Sequence, residues 1–209
     1  LTARLEQAAT RGRLPKVLIV VHFAGRSCDM AAIRGLADRH GFFVIEDASH
    51  AVGADQGRHR VGACAYSDLT VFSFHPVKIM TTGEGGMVLG NDAGLMRRVA
   101  LLRSHGITRE PAEMTAMDAG TWYYEQIDLG YNYRMTDLQA ALGLSQLERV
   151  DAFVARRRQL AERYAGLLAD LPLRLPPASA ESAWHLYVVQ LDAPERRRAV
   201  FDAMRAAGI

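Results

Sequence analysis

The sequence contains little cysteine and no pattern that would use it. Only Cys28 and Cys64 occur among the 209 residues, without a C-x-x-C pair or a cysteine–histidine cluster. This composition argues against a disulfide framework and gives no indication of a metal centre. A reducing, cytoplasmic location is the simplest expectation.

Long apolar runs and strong charge asymmetry are also absent. The formal net charge is +2, with 49% hydrophobic and 23% charged residues, which is typical of a globular protein with a real core. No run approaches the length of a membrane span, and the polar N-terminus does not resemble a signal peptide. We therefore expect neither a nucleic-acid nor a membrane partner.

The pattern of the N-terminal third predicts a strand, a helix and a second strand. The apolar run at 16–23 predicts a strand buried on both faces. Asp29 can cap a helix that Gly41 ends, and 42–45 predicts a second buried strand. Two strands joined by a helix within so short a stretch indicate a βαβ unit with parallel pairing. The expected fold class is therefore α/β, a mainly parallel sheet flanked by helices.

A constrained loop with one lysine follows. A β-rich run at 69–74 precedes Lys78, and a glycine-rich turn at 83–86 leads into a second short apolar run at 87–89. A single lysine between two buried strands is where an enzyme would place an amine nucleophile. The long irregular stretch at 104–130 is predicted to be a loop, and loops of that length are more often functional than idle.

We expect three parts in the chain. Residues 1–135 belong to a large domain, 136–171 form a long connecting helical region with a bend at Gly143, and 172–209 begin a small α+β domain. Within that last part, the alternation at 184–191 predicts a strand. Because the chain starts without methionine and stops just after a predicted helix, we expect a fragment of a longer protein.

Asp47 is the carboxylate that a lysine nucleophile would need nearby. It directly follows the second predicted strand, and ligands of open α/β sheets sit at the carboxyl ends of strands. Pyridoxal phosphate, the usual partner of such a lysine, requires a carboxylate beside its ring nitrogen. On spacing alone, a turn-forming Asp47 and a solvated Lys78 remain the alternatives.

Several segments together resemble one family, the DegT/StrS group of sugar-nucleotide aminotransferases, which are fold-type-I pyridoxal-phosphate enzymes. The resemblance follows the motif order of the family through essentially the whole chain. Within the group, the wording is most similar to the aminotransferases of the pseudaminic acid pathway. The segments are EDASHAVGA (46–54), SDLTVFSFHPVK (67–78), TTGEGGMV (81–88), LRSHGITR (102–109) and LGYNYRMTDLQAALGLSQL (129–147).

The resemblance implies a role for five residues. Lys78 matches the lysine that binds the cofactor covalently and moves the substrate proton, and Asp47 matches the partner of the ring nitrogen. His50 matches a polar contact near the phenolic oxygen, with a satisfied interior histidine as its alternative, and Ser73 matches a phosphate-binding hydroxyl. Asn132 matches an asparagine that reaches the cofactor phosphate of the neighbouring subunit, so a homodimer with shared active sites is expected. The resemblance assigns no role to His75, Arg103 or His105.

The implied reaction moves an amino group from glutamate to a UDP-linked 4-keto-6-deoxy sugar, in pseudaminic (nonulosonic) acid or related surface-glycan biosynthesis. Four alternatives remain. They are a dehydratase on the same scaffold, another pyridoxal-phosphate activity, a non-catalytic regulator and a nucleotide-binding module. In the dehydratase, histidine would replace Lys78. A nucleotide-binding module would need a G-x-G-x-x-G turn where the sequence has AGRSCD. Since the phosphate-binding turn of the family does not precede Leu1, we expect these residues alone to bind cofactor poorly.

Overall fold

The computed structural model describes residues 1–116 and 120–209. The helices are α1 (Thr2–Thr10), α2 (Met30–His40), α3 (Ala93–Arg103), α4 (Asp137–Leu147), α5 (Val150–Leu167) and α6 (Arg197–Ala206). The strands are β1 (Val17–Val21), β2 (Phe43–Asp47), β3 (Asp55–Gln56), β4 (His59–Arg60), β5 (Leu69–Ser73), β6 (Gly86–Leu89), β7 (Ile107–Thr108), β8 (Glu125–Gln126), β9 (Leu173–Arg174) and β10 (Gln190–Leu191). Short 3-10 turns occur at Phe23–Gly25, Pro111–Glu113 and Pro194–Arg196.

The central sheet has the strand order β1-β2-β5-β6, in which the first three strands are parallel and β6 is antiparallel to β5. Helix α2 makes the crossover from β1 to β2. The Asp29 carboxylate caps α2 by accepting a hydrogen bond from the Ala32 amide at 3.1 Å, and Gly41 ends the helix in the left-handed region at φ 71°. The predicted βαβ unit and its parallel pairing are confirmed.

Only one face of β1 and β2 is buried within the described chain. Val20 and Val44 pack against Met30 of α2 on that face, in a cluster that α1 also joins. On the other face Ile19 is 62% exposed and Phe43 58% exposed. The prediction of strands buried on both faces is therefore wrong for this structure, because α1 and α2 both cover the same side.

A second core surrounds the lysine loop. Phe74, Ile79 and Met80 are buried together with the chain that follows β2 and with Val154 of α5. Gly53 permits this approach, since a Cβ atom there would lie 2.8 Å from the Val154 side chain. The lysine loop is thus fixed by buried apolar neighbours on both sides of Lys78.

The predicted helical region at 136–171 consists of two helices. The break lies at Glu148–Arg149, between α4 and α5, so the predicted bend at Gly143 is wrong. Gly143 is buried inside α4, and a Cβ atom there would lie 2.8 Å from a methyl group of Thr82. Its small size lets α4 approach the lysine loop, which explains the glycine without a bend.

The strand predicted at 184–191 is mostly absent. Only Gln190 and Leu191 form a ladder, antiparallel with β9, because the chain around Trp184 makes its backbone hydrogen bonds to the Phe23–Gly25 turn instead. The predicted loop at 104–130 contains the β7–β8 hairpin, and its residues 117–119 lie outside the described part. Of the helices that the structure describes, none has the length and apolarity needed to cross a bilayer.

Candidate active site

Strand pairing puts Asp47 and Ser73 on the same face of the sheet. Asp47 is in register with Val71 of the parallel strand β5, and Ser73 follows Val71 by two residues. Side chains alternate between faces along a strand, so Asp47, Val71 and Ser73 point to one side at the carboxyl end of the sheet. This is the end at which ligands of parallel sheets bind.

The lysine loop closes on itself through hydrogen bonds to Phe74. The Phe74 amide donates to the Gly85 carbonyl at 2.8 Å, and the Phe74 carbonyl accepts from the Thr82 amide at 3.0 Å. The Lys78 amide completes a tight turn by donating to the His75 carbonyl at 2.9 Å. Lys78 is half-buried at the centre of this loop, with Ile79 and Met80 anchored in the core. The geometry holds the lysine backbone while leaving part of its side chain accessible.

Two of the predicted site residues, Lys78 and Asp47, lie near enough to His50 for their charges to act on its pKa. Burial lowers its pKa, the positive charge of Lys78 lowers it further, and the charge of Asp47 acts in the opposite direction. Its Nδ1 atom accepts a hydrogen bond from the Ala24 amide at 3.3 Å. A neutral imidazole that accepts at Nδ1 carries its proton on Nε2, so His50 offers an N–H donor to a ligand in this region.

Asp47 is held by its own main chain and by its neighbours. Its carbonyl accepts from the His22 amide at 3.0 Å, and its Oδ1 atom accepts from the Ser49 amide at 3.1 Å. The Ala48 amide donates to the Val71 carbonyl at 2.9 Å. Asp47 is therefore fixed from both neighbouring strands, with one carboxylate oxygen committed to a turn.

A buried polar network lies directly behind Asp47, on the covered face. Glu46 and His22 are fully buried and form an ion pair at 2.7 Å. The Glu46 carboxylate also accepts hydrogen bonds from Gln56, Ser67 and Thr70. These contacts tie the ends of β1, β2 and β5 together where Asp47 projects from the opposite face.

His185 belongs to the same region, although the motifs gave no indication of it. Its ring lies on that of His50, with centroids 4.5 Å apart and planes 38° apart. Burial lowers the pKa of His185 to about 4, and the positive charges of His50, Lys78 and Arg157 contribute to the decrease. A single histidine in a strand-like stretch carries no spacing signal that would have identified it.

Asn132 is not brought to Lys78 by contacts within the described residues. It is exposed, and its backbone forms an isolated bridge with Ser104. The His105 amide donates to the Tyr131 carbonyl at 2.8 Å, and the Arg103 carbonyl accepts from the Tyr133 amide at 3.0 Å. The main chain of the 103–105 stretch therefore holds the segment that carries Asn132, whose predicted role in a neighbouring subunit stays a prediction.

His75 lies at the rim of the loop and not in its core. Its Nε2 atom is 3.7 Å from the Glu84 carboxylate, and both side chains are largely exposed. Its Nδ1 atom accepts from the Val77 amide at 3.3 Å. These contacts brace the two ends of the lysine loop.

Comparison with known proteins identifies the family. The family model described as "DegT/DnrJ/EryC1/StrS aminotransferase family" matches residues 2–209. The chain belongs to the DegT/DnrJ/EryC1/StrS aminotransferase family. It is 41% identical over 192 residues to the spore coat polysaccharide biosynthesis protein SpsC of Bacillus subtilis, covering 90% of this chain and 48% of SpsC.

Solved structures of family members share the fold. Helicobacter pylori PseC, an aminotransferase involved in pseudaminic acid biosynthesis, matches with a TM-score of 0.85 and 29% identity, over 94% of this chain and 52% of PseC. The sugar aminotransferase Spr1654 of Streptococcus pneumoniae in its PMP form matches with a TM-score of 0.83 and 27% identity, over 93% and 54% of the two chains. A PLP form of Spr1654 also matches. The predicted family and fold type I are thus confirmed, and the chain spans about half the length of the relatives it matches.

Proposed function

We propose that this chain carries the catalytic lysine of a pyridoxal-phosphate-dependent aminotransferase that acts on a keto sugar nucleotide. The observation that supports this proposal most strongly is the position of Asp47 at the carboxyl end of a parallel sheet, near His50, whose pKa the charges of Asp47 and Lys78 both affect. An amine and a carboxylate are the groups with which such proteins hold this cofactor. A dehydratase is disfavoured because the position holds lysine.

The donor set of the site fits the cofactor. The Asp47 carboxylate can hold a proton on the ring nitrogen, and its remaining oxygen has the open face of the sheet in front of it. The Nε2 proton of His50 suits an anionic phenolic oxygen, and the Ser73 hydroxyl is the proposed phosphate ligand on the same face. When bound, pyridoxal phosphate accepts the electron pair that remains when a proton leaves the substrate carbon.

Lys78 has two proposed tasks. Its amine, Nζ, would hold the cofactor at its aldehyde carbon. When it is not so occupied, the same amine would be the base that takes up and returns the proton of the substrate carbon. The closed Phe74–Gly85 loop supports both tasks, because its hydrogen bonds fix the lysine backbone while the side chain is only half-buried.

The proposed substrates are glutamate as the amino donor and a UDP-linked 4-keto-6-deoxy sugar as the acceptor. The similarity to PseC and SpsC supports a sugar substrate in surface-glycan or pseudaminic acid biosynthesis. We keep the division at 1–135, 136–171 and 172–209 as the proposed domain organisation. The cytoplasm remains the proposed compartment, in agreement with the two free cysteines of the described residues.

We propose a homodimer in which Asn132 serves the partner's site. Apolar side chains around it are unusually exposed, with Leu129 at 78% and Leu138 at 85%. Tyr131 and Tyr133 stack with ring centroids 4.9 Å apart on the same exposed stretch. A contiguous exposed apolar and aromatic patch favours a protein–protein contact.

The first experiment is chemical labelling of the lysine. This sequence has two lysines, Lys16 and Lys78. Lys16 is exposed just before β1 and serves as the control for Lys78. The full-length gene product would be incubated with pyridoxal phosphate, reduced with borohydride and mapped by peptide mass spectrometry. We expect label on Lys78, loss of label and of visible absorbance in Lys78→Arg, and no change in Lys16→Arg.

Amino transfer is then tested separately. Glutamate alone should convert the bound cofactor to its amine form, and a keto sugar nucleotide should restore the original absorbance. Label on Lys78 without conversion by any amino donor would contradict the aminotransferase and favour another pyridoxal-phosphate activity. Absence of label on Lys78 in the full-length protein would refute the proposed mechanism.

A further inference from the structure

The segment 182–186 is fastened to the Phe23–Gly25 turn, at the edge of the candidate active site. The Ala183 amide donates to the Gly25 carbonyl at 2.9 Å, and the Leu186 amide donates to the Ala24 carbonyl at 3.3 Å. A Cβ atom on Gly25 would lie 2.8 Å from the His185 amide nitrogen. The two pieces of chain, about 160 residues apart in sequence, are thus in direct backbone contact.

This contact forces uncommon backbone conformations on both sides. Trp184 has φ 48° and Ala24 has φ 61°, in the left-handed region that non-glycine residues seldom occupy. The Arg157 guanidinium donates to the carbonyls of Trp184 and His185, each at 3.2 Å. Strained residues persist where their surroundings determine the conformation, and they concentrate at functional sites.

The strained contact places the His185 ring on the ring of His50. The Phe23 ring also lies near His50, with ring centroids 6.1 Å apart. The His185 Nδ1 atom is buried without a hydrogen-bond partner among residues 1–116 and 120–209. An unpaired buried polar atom is unusual in a native structure and requires an explanation. A side chain that served only to fill this space would not need a histidine, whose buried nitrogen has no hydrogen-bond partner among the described residues.

We propose that His185 is a positioning residue of the active site, whose ring shields His50 from water and keeps its Nε2 proton directed at the cofactor. This inference rests on the proposed function of the same site. Three charged groups outside the pair act on it: Lys78 and Asp47 on His50, and Lys78 and Arg157 on His185, on which His50 also acts.

His185 is suited to this task because its ring is neutral above about pH 4. Burial and the neighbouring positive charges lower the pKa of His185 to about 4. It therefore excludes water from one face of His50 without adding a charge above that pH. A neutral His50 donates from Nε2 while Nδ1 remains bonded to the Ala24 amide, whereas protonation would break that bond.

The test measures the titration of His50 itself in the full-length protein without added cofactor. Histidine labelled with ¹³C at Cε1 gives a resolved NMR signal for each ring, and His50→Gln identifies the one that belongs to His50. In His185→Ala the pKa of His50 should rise toward the ordinary value of 6.5, because water reaches the exposed ring face. In His185→Phe, which retains a flat apolar ring, it should remain low.

A second variant keeps the proposal testable if His185→Ala fails to fold. Arg157→Gln retains the His185 ring but releases the two carbonyls that hold it, so the pKa of His50 should rise there too. His40→Gln, at the C-terminal end of α2, is the matched control and should leave the His50 titration unchanged. Cofactor affinity should fall about tenfold in His185→Ala, the factor expected for one weakened hydrogen bond.

Two results would overturn the proposal. One is an unchanged His50 titration in both His185→Ala and Arg157→Gln, and the other is an equal rise in His185→Ala and His185→Phe. Borohydride labelling of Lys78 is independent of these titrations. A failed titration test with intact labelling would therefore refute the role of His185 and leave the proposed function standing.

Discussion

Replacing Glu46 by glutamine should destabilise the protein by about 3 kcal/mol at pH 6. Burial alone would lower the pKa of His22, but hydrogen bonds to Cys28 and Glu46 and the charge of Glu46 outweigh it and raise the pKa to about 9. The rise from 6.5 corresponds to about 3 kcal/mol of preferential binding of the proton in the folded state, to which Cys28 and Glu46 both contribute. The expected loss rests on the cost of breaking one side of a buried ion pair, which is typically about 3–5 kcal/mol.

The destabilisation should depend on pH in a defined direction. Because the pKa of His22 is higher in the folded state, its contribution is complete below pH 6.5 and is lost as the pH rises through about 9. Glu46 acts in the opposite sense. Burial raises its pKa, but hydrogen bonds from His22, Ser67 and Gln56 lower it below 4.5, so its contribution is lost as the pH falls through that lowered value. The difference between wild type and Glu46→Gln should therefore be largest near pH 6 and shrink toward pH 10.

Urea denaturation of the full-length protein at pH 6 and pH 10, followed by circular dichroism, measures this difference. Glu162→Gln is the matched control, since Glu162 is exposed on α5 and its loss should change the free energy of unfolding by no more than about 0.5 kcal/mol. A cost below about 1 kcal/mol for Glu46→Gln at pH 6 would refute the reasoning. So would a cost that is the same at both pH values, because the proton of His22 would then not be involved.

Two further substitutions test local geometry. Gly25→Ala should lower the free energy of unfolding, measured by urea denaturation, by about 1–3 kcal/mol more than Gly41→Ala does. Both glycines have positive φ, but of the two only Gly25 has backbone atoms within 3.0 Å of an added Cβ. Equal losses would contradict the close approach at Gly25. Asp29→Ala should lose about 1 kcal/mol of stability through the missing cap of α2, whereas Asp29→Asn should remain close to wild type, and an equal loss in both would show that the side-chain cap contributes nothing.

The βαβ unit could be predicted because its determinants are local. Asp29 and Gly41 mark the two ends of α2, and the apolar runs on either side have the length of strands. The burial of those strands could not be predicted in the same way. An apolar run indicates that a strand can be covered on both faces. Which face is actually covered depends on where α1 and α2 pack. The exposed Ile19 and Phe43 show that both helices pack on the same face.

The region around Trp184 was predicted least well. Its alternation of aromatic and apolar residues is typical of a strand, yet the chain is drawn into contact with Gly25, about 160 residues earlier. Arg157 then holds carbonyls that a strand would pair. Neither Gly25 nor Arg157 can be recognised as a partner from the local sequence pattern, and these tertiary contacts override the strand propensity of the segment. For the same reason the local pattern contains no indication of His185. The places of Lys78 and Asp47 in the predicted elements made them candidates, and motif resemblance supplied their roles. The assignments of His50, Ser73 and Asn132 came from motif resemblance alone, and all five stay predictions until labelling and substitution test them.

Two adjacent carboxylates of β2 are separated by the alternation of the strand. Glu46 points to the covered face, where His22 balances its charge and burial fixes its position. Asp47 points to the open face, where one oxygen remains available beyond the bond from Ser49. Because the His22 amide also holds the Asp47 carbonyl, the same residue anchors both. Loss of the Glu46 charge should therefore shift Asp47 as well as destabilise the sheet. At urea concentrations far below those that unfold the protein, Glu46→Gln should already bind pyridoxal phosphate more weakly than Glu162→Gln does.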